Sequence, residues 1–245
     1  MAGTAVRGRL TWQPVTAAQV FTETPRVRTI VLDLPGWPGH LPGQHVDVRL
    51  TAADGYQAER PYSIASAPGE PLALSVERLD DGEVSSYLAG ELRPGDQFEI
   101  RGPIGGYFVW RGEGPLLLVA GGSGVVPLRA MLRERLRARL DVPVRMLYSS
   151  RSWDEVIYRA ELEAAEPGVQ VVHTLTRSQP AGWTGYARRV DAAMLADIAW
   201  PVSRDPLAFV CGPTPFVEKV AGALTSLGYP PRRVRTERFG GMGGT

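Results

Sequence analysis

The chain has 245 residues, more than one domain of ordinary size needs, so two domains are expected. Its 44% apolar and 22% charged residues suit a folded protein with a full core, and a net charge of +1 gives no reason to expect nucleic acid or a membrane surface as partner. A single cysteine, Cys211, excludes an internal disulfide and a four-cysteine zinc or iron–sulfur site, and the three histidines (His40, His45, His173) lack metal-ligand spacing, so no bound metal is expected. No apolar run approaches the length of a membrane span and the first residues carry no continuous hydrophobic signal, so a cytoplasmic monomer is expected.

Up to about residue 112 the pattern has period two. Ile30, Leu32 and Leu34 alternate with Thr29, Val31 and Asp33; Val46, Val48 and Leu50 alternate with His45, Asp47 and Arg49; Leu72, Leu74 and Val76 alternate with Ala73, Ser75 and Glu77. Turn signals separate these runs at Pro35-Gly36, Pro42-Gly43, Asp54-Gly55 and Pro94-Gly95-Asp96. Short strands broken by frequent turns predict an antiparallel barrel or sandwich, interrupted by one short helix near residues 83–92. Arg60-Pro61-Tyr62-Ser63 stands at the end of one strand-like run. An arginine, an aromatic and a hydroxyl so close together can serve one ligand in three ways: a planar fork for phosphate, a flat face for a ring and a small donor for a ring nitrogen.

After residue 114 strands and helices alternate. Strands are predicted at 116–120, 144–148, 169–175, 207–211 and 234–237, with the clearest helix at 128–140, where Leu128, Met131, Leu132, Leu136 and Leu140 mark one face and arginines the other. Those arginines read as a solvated face. The alternation predicts a five-stranded parallel doubly wound sheet, and a boundary near residues 111–115 divides the chain into 1–112 and 113–245.

Gly121-Gly122-Ser123-Gly124-Val125-Val126-Pro127 follows the first parallel strand and opens a helix. Glycines there let backbone N–H groups approach a pyrophosphate, and Pro127 suits the first helical turn, so the placement favours dinucleotide binding over a plain tight turn. No Gly-Lys follows, which excludes a Walker A loop, and Val125 stands where a nucleophile elbow needs glycine. Ligands of a parallel sheet gather beyond the carboxyl ends of its strands. Those ends carry Ser149-Ser150-Arg151, Thr176-Arg177, Cys211-Gly212-Pro213 and Glu237-Arg238-Phe239. A nicotinamide dinucleotide would meet glycines at its pyrophosphate, hydroxyls and arginine at its adenosine end, and Cys211, Glu237 and Phe239 near its reactive ring. Taken singly, Cys211 reads as a small buried hydrophobe and Glu237 as a solvated carboxylate. Arg151, Thr176 and Arg177 without an acidic neighbour favour NADPH, with NADH as the alternative, and Tyr186 is a candidate to stack on the adenine.

The motifs together resemble the ferredoxin–NADP+ reductase superfamily over nearly the whole chain. Pro42-Gly43-Gln44, Arg60-Pro61-Tyr62-Ser63, Gly82-Glu83-Val84-Ser85-Ser86-Tyr87-Leu88, Gly95-Asp96 through Gly102-Pro103-Ile104-Gly105-Gly106-Tyr107-Phe108, Gly121 to Pro127 and Cys211-Gly212-Pro213 stand in that family's order. The resemblance implies an FAD-binding barrel followed by an NAD(P)-binding domain. It implies that Arg60 and its neighbour Pro61 serve the flavin phosphate, that Tyr62 packs on the isoalloxazine, and that Ser63 hydrogen-bonds near N5. It further places Val76 beside the ring and Gly82, Val84 and Ser85 at the flavin pyrophosphate. Gly121, Gly122, Gly124, Pro127, Gly212 and Pro213 fall to the nicotinamide domain, Cys211 and Glu237 to the nicotinamide pocket, and Phe239 to the family's ring-covering aromatic. Ser63, Cys211 and Glu237 are the residues expected to position the hydride transfer. With no cluster-binding cysteines in the chain, electrons are expected to leave for a ferredoxin, a cytochrome P450 system or another redox subunit. A reductase that releases free reduced flavin and a non-enzymatic nucleotide-binding module are the rival readings.

Overall fold

The computed structural model describes residues 10–240. Alternating strands build its first half: β1(Gln13–Thr24), β2(Val27–Asp33), β3(His45–Thr51), β4(Gln57–Ser63), β5(Ala73–Glu77) and β6(Gln97–Ile104). They pair antiparallel in the order β4-β3-β6-β1-β2-β5, and a bridge between Ile64 and Leu74 ties the two ends together. Ile30 and Leu32, Val46 and Val48, and Leu74 and Val76 all point into one buried core, as period-two alternation requires. The expected short helix is present as α1(Glu83–Ser86), continued by a π-helical turn at Tyr87–Glu91. Val84, Leu88 and Leu92 insert from this segment into the barrel core.

The second half alternates β7(Leu116–Gly121), α2(Val125–Arg137), β8(Val144–Ser150), α3(Arg159–Glu163), β9(Val169–Leu175), α4(Ala192–Ile198), β10(Leu207–Pro213), α5(Thr214–Ser226) and β11(Val234–Phe239). The strands pair parallel in the order β11-β10-β7-β8-β9. On β7, Leu116, Leu118 and Ala120 face α2 and α3, while Leu117 and Val119 face α4 and α5, so helices cover both faces of a doubly wound sheet. Four strands outrun their apolar cores by one or two residues, because the polar tip residues still pair in the ladder: Gly121 with Ser149, and Pro213 with Phe239. No helix among the described residues is long and apolar enough to cross a membrane.

The two sheets share a core. Val27, Ala65, Ala73, Phe108 and Trp110 from the first half pack in one buried cluster with Leu128, Met131 and Phe209 from the second. Phe108 meets Phe209 edge-on at a centroid distance of 5.1 Å. Gly43 permits this closeness: it adopts φ +95°, and a Cβ there would lie 1.9 Å from the Phe108 carbonyl oxygen.

The reading of the α2 arginines as a solvated face is corrected by this interface. Arg129 donates to the Ala65 carbonyl at 3.2 Å, pairs with Glu161 at 2.7 Å and stacks over the Tyr158 ring at 4.2 Å. Arg133 pairs with Glu70 of the barrel at 2.7 Å. Arg135 is buried and donates to the Val142 carbonyl at 2.6 Å and the Pro167 carbonyl at 3.2 Å. Leu136, by contrast, is half exposed. The partners that draw these guanidinium groups inward lie 28–64 residues away along the chain or in the next loop, beyond the reach of helical periodicity.

Arg129→Leu leaves the carbonyl of buried Ala65 without its donor and removes the stacking on Tyr158, and is expected to cost about 1–2 kcal/mol of stability in denaturant unfolding. Arg137→Ala, which removes an exposed pair with Glu134 on the same helix, should leave the melting temperature unchanged.

Candidate functional site

Along the carboxyl ends of the parallel strands runs a cleft of about 670 Å³, closed on its far side by Arg26, Val27, Glu77 and Leu79 of the barrel. Glycine makes its floor. A Cβ at Gly124 would lie 2.1 Å from the Cys211 carbonyl oxygen, so only glycine lets the start of α2 rest against β10. The Phe216 ring fills the space over Gly121 and Gly212, where Cβ atoms would lie 3.0 and 2.7 Å from it, and Gly122 takes φ +55°. The N-terminus of α2 has no side-chain cap, and the Val125 N–H is taken up by the carbonyls of the preceding Gly122–Gly124 turn. Pro127 is buried in that first turn and shapes the helix rather than the cleft wall.

The tip of β4 reaches the same region from the barrel. Ser63 Oγ donates to Glu237 Oε1 at 3.0 Å, joining residues 174 apart in sequence and on different sheets. Burial raises the Glu237 carboxyl from its ordinary 4.5 to about 6, against the smaller opposing effect of the Ser63 hydrogen bond. Cys211 lies in register with Glu237 on the neighbouring strand, but its side chain is sealed beneath the cleft at 1% exposure. Burial, and then the Glu237 charge, push its thiol well up, so it is a neutral packing group. Phe239, in register with Pro213, forms part of the cleft wall.

The β4 and α1 residues fit a flavin dinucleotide by their donor set. Arg60 is exposed, is turned onto its neighbour's Glu59 carbonyl at 2.7 Å, and has no carboxylate partner among the described residues. Pro61 precedes Tyr62, which is half-buried against the barrel core, and burial raises its phenol so that it stays protonated. At Gly82 a Cβ would lie 2.3 Å from Ser85 Oγ. That hydroxyl is already engaged, donating to the Gly82 carbonyl at 3.2 Å and accepting from Leu79 N–H at 3.2 Å. Val84 is buried, so α1 can offer a phosphate only backbone N–H groups. A separate cavity of about 710 Å³ opens beyond α1, lined by Tyr56, Glu83, Val84 and Tyr87; Arg60, Tyr62 and Ser63 are not in its wall.

Several expected site residues stand elsewhere. Val76 is fully buried in the barrel core with Leu74, on the inward side of the β5 alternation; its neighbour Glu77 is the one that lines the cleft. Arg151 and Thr176 line the cleft, whereas Arg177 is not in the wall, its N–H donating to the Arg151 carbonyl at 2.9 Å. Tyr186 turns away to hydrogen-bond Asp197 of α4, beneath the Arg188 guanidinium at 5.0 Å. Arg189 and Lys219 line the cleft in their place. The Arg188-Arg189 doublet beyond β9 was the available signal for the first, and nothing in the pattern of α5 marks the second.

Two family models match the chain: an oxidoreductase FAD-binding domain over residues 18–109 and an oxidoreductase NAD-binding domain over residues 118–222. A ferredoxin–NADP reductase B of Sorangium cellulosum is 38% identical over 208 residues, which span 80% of this chain and 84% of that protein. A glycine betaine monooxygenase reductase subunit of Chromohalobacter salexigens is 32% identical over 92% of this chain, which spans only 64% of that relative's length. Among solved structures, the FAD/NAD-binding domain of a nitric oxide dioxygenase from Vibrio cholerae superposes with a TM-score of 0.83 at 24% identity, covering 93% of this chain and 98% of that one.

The raised Glu237 carboxyl sets a pH-dependent stability. Unfolded it ionises near 4.5 and folded near 6, so the folded chain holds the extra proton between these values. Stability from this group is therefore full below about pH 4.5 and is lost as pH rises to about 6. Glu237→Gln keeps an acceptor for Ser63 without the buried charge, and is expected to stabilise the fold at pH 7.5 by about 1–2 kcal/mol while flattening that slope. A melting temperature that is unchanged or lower in the variant contradicts this.

Proposed function

Since the chain belongs to the ferredoxin–NADP+ reductase superfamily of flavin-dependent oxidoreductases, we propose that it takes hydride from NADPH onto FAD and passes the electrons to a separate redox protein. The observation that carries this reading is the Ser63–Glu237 hydrogen bond, which brings the flavin-side motif and the nicotinamide-side strand tip into contact. A bound flavin supplies the chemistry of accepting two electrons as hydride and releasing them singly.

The chain's own residues bind, orient and exclude water. Arg60 and the backbone N–H groups of Val84 and Ser85 hold phosphate, and Tyr62 offers its face to the flavin ring. Gly121, Gly122 and Gly124, at the start of α2, receive the pyrophosphate of the nicotinamide dinucleotide. Ser63 and Glu237 would border the bound flavin and nicotinamide, Phe239 would wall the site from β11, and buried Cys211 with Gly212 and Pro213 supports the tip of β10. Hydride transfer needs no general base, so Ser63 and Glu237 act by position and by keeping the pocket shaped. We divide the chain into the two working domains at residues 112 and 113. Residues 1–245 hold one cysteine, so an iron–sulfur cluster on the route comes from outside them; a ferredoxin, a cytochrome P450 system or the terminal subunit of an oxygenase fits that place.

NADPH is the preferred donor in this reading because Arg151 and Arg189 line the adenosine end of the cleft without carboxylate partners among the described residues. Flavin-loaded protein mixed anaerobically with NADPH should bleach, with a higher kcat/KM for NADPH than for NADH. Arg189→Gln should lower kcat/KM for NADPH about tenfold or more, as loss of a charge-assisted phosphate contact does, and leave NADH nearly unaffected. Equal loss for both donors contradicts the arginine clamp. Absence of bleaching turns the reading to a nucleotide-binding module, and flavin lost on gel filtration turns it to a free-flavin reductase.

A further inference from the structure

Lys219 is the only lysine among 27 basic residues, and it lines the dinucleotide cleft from α5. It follows Phe216 by three positions, which places the two on the same helix face one turn apart. Phe216 is the ring that packs over Gly121 and Gly212, the glycines at the tips of β7 and β10. Helical side chains lean toward their helix's N-terminus, so the Lys219 stem runs back along Phe216 toward the glycine turn. Gly122 and Ser123, in the turn before α2, line the same cleft. No carboxylate lies within ion-pair distance of Lys219 among the described residues. Asp191, whose ionisation its charge favours, is held by Arg188 at 2.7 Å and by the Met194 N–H at 2.8 Å.

Lys219 is exposed, and it lines a cleft whose wall also carries Arg151 and Arg189. Resting on the reading of this cleft as the nicotinamide dinucleotide site, we infer that Lys219 binds the pyrophosphate of that dinucleotide. The pyrophosphate is chosen over the 2′-phosphate because Phe216 spans the β7 and β10 tips, whereas Arg151 and Thr176 mark the β8 and β9 tips. A compact ammonium on a flexible stem suits a phosphate group that must enter and leave at each turnover.

The test uses flavin-loaded protein titrated with NADP+, NAD+ and 2′-AMP. Lys219→Gln should weaken NADP+ and NAD+ by the same factor, about tenfold, and leave 2′-AMP unchanged, with Lys219→Arg restoring most of the loss. An amine-acylating reagent can modify only Lys219 and the N-terminal amine, and NAD+ should shield the Lys219 peptide in a mass-spectrometric readout while 2′-AMP should not. Unchanged affinity for both dinucleotides, or a loss confined to NADP+, overturns the assignment while leaving the cleft as the dinucleotide site. Failure of the wild-type protein to bind either dinucleotide overturns the reading of the cleft, and the assignment with it.

Discussion

Everything at the site depends on the packing of the barrel against the parallel sheet. The Phe108–Phe209 edge-to-face contact, with Trp110, Val27, Ala65 and Ala73 around it, makes the boundary between domains a piece of core. An aromatic side chain buried this way contributes about 2–3 kcal/mol, so the shared cluster outweighs any one polar contact across the boundary. Arg129 and Arg133 fix the rotation between the halves through Ala65 and Glu70, and Tyr107 and Arg235 do so near β11 by donating to the Val234 and Val109 carbonyls. Ser63 and Glu237 can meet at hydrogen-bond distance only because both frames are held in this way.

Charge is distributed with the same economy. Arg26, Arg151, Arg189 and Lys219 line the cleft of a nearly neutral chain together with the carboxylates Glu77 and Glu155. Glu237 stands apart from them in a desolvated place at the tip of β11, where its carboxyl resists ionisation. Cys211 beside it is shifted the same way: burial silences the thiol and leaves it as packing.

The alternation of apolar residues made both sheets legible, and glycine with its neighbours marked the turn at Gly121 to Gly124. Val76 shares a face with Leu74 and so points into the barrel, which the role implied by the family resemblance did not take into account. The α2 arginines were not legible, because Glu70, Ala65 and the loop carbonyls that hold them are brought close only by tertiary folding. Of the residues expected at the tips of β8 and β9, Arg151 and Thr176 stand in the cleft wall. Residues 176–190 lack regular structure apart from a bridge at Tyr186, and no periodicity could tell that Arg189 faces the cleft while Arg177 and Tyr186 do not.

The central claim is that the two domains hold Ser63 and Glu237 as one unit for hydride transfer. A double-mutant cycle on the rate of anaerobic flavin reduction by NADPH, using Ser63→Ala, Glu237→Ala and the double variant, measures this directly. The account predicts strong non-additivity, a coupling of about 1 kcal/mol or more, with the double variant little slower than the worse single one. Effects that add within about 0.3 kcal/mol would mean that the two residues act independently, and would contradict it.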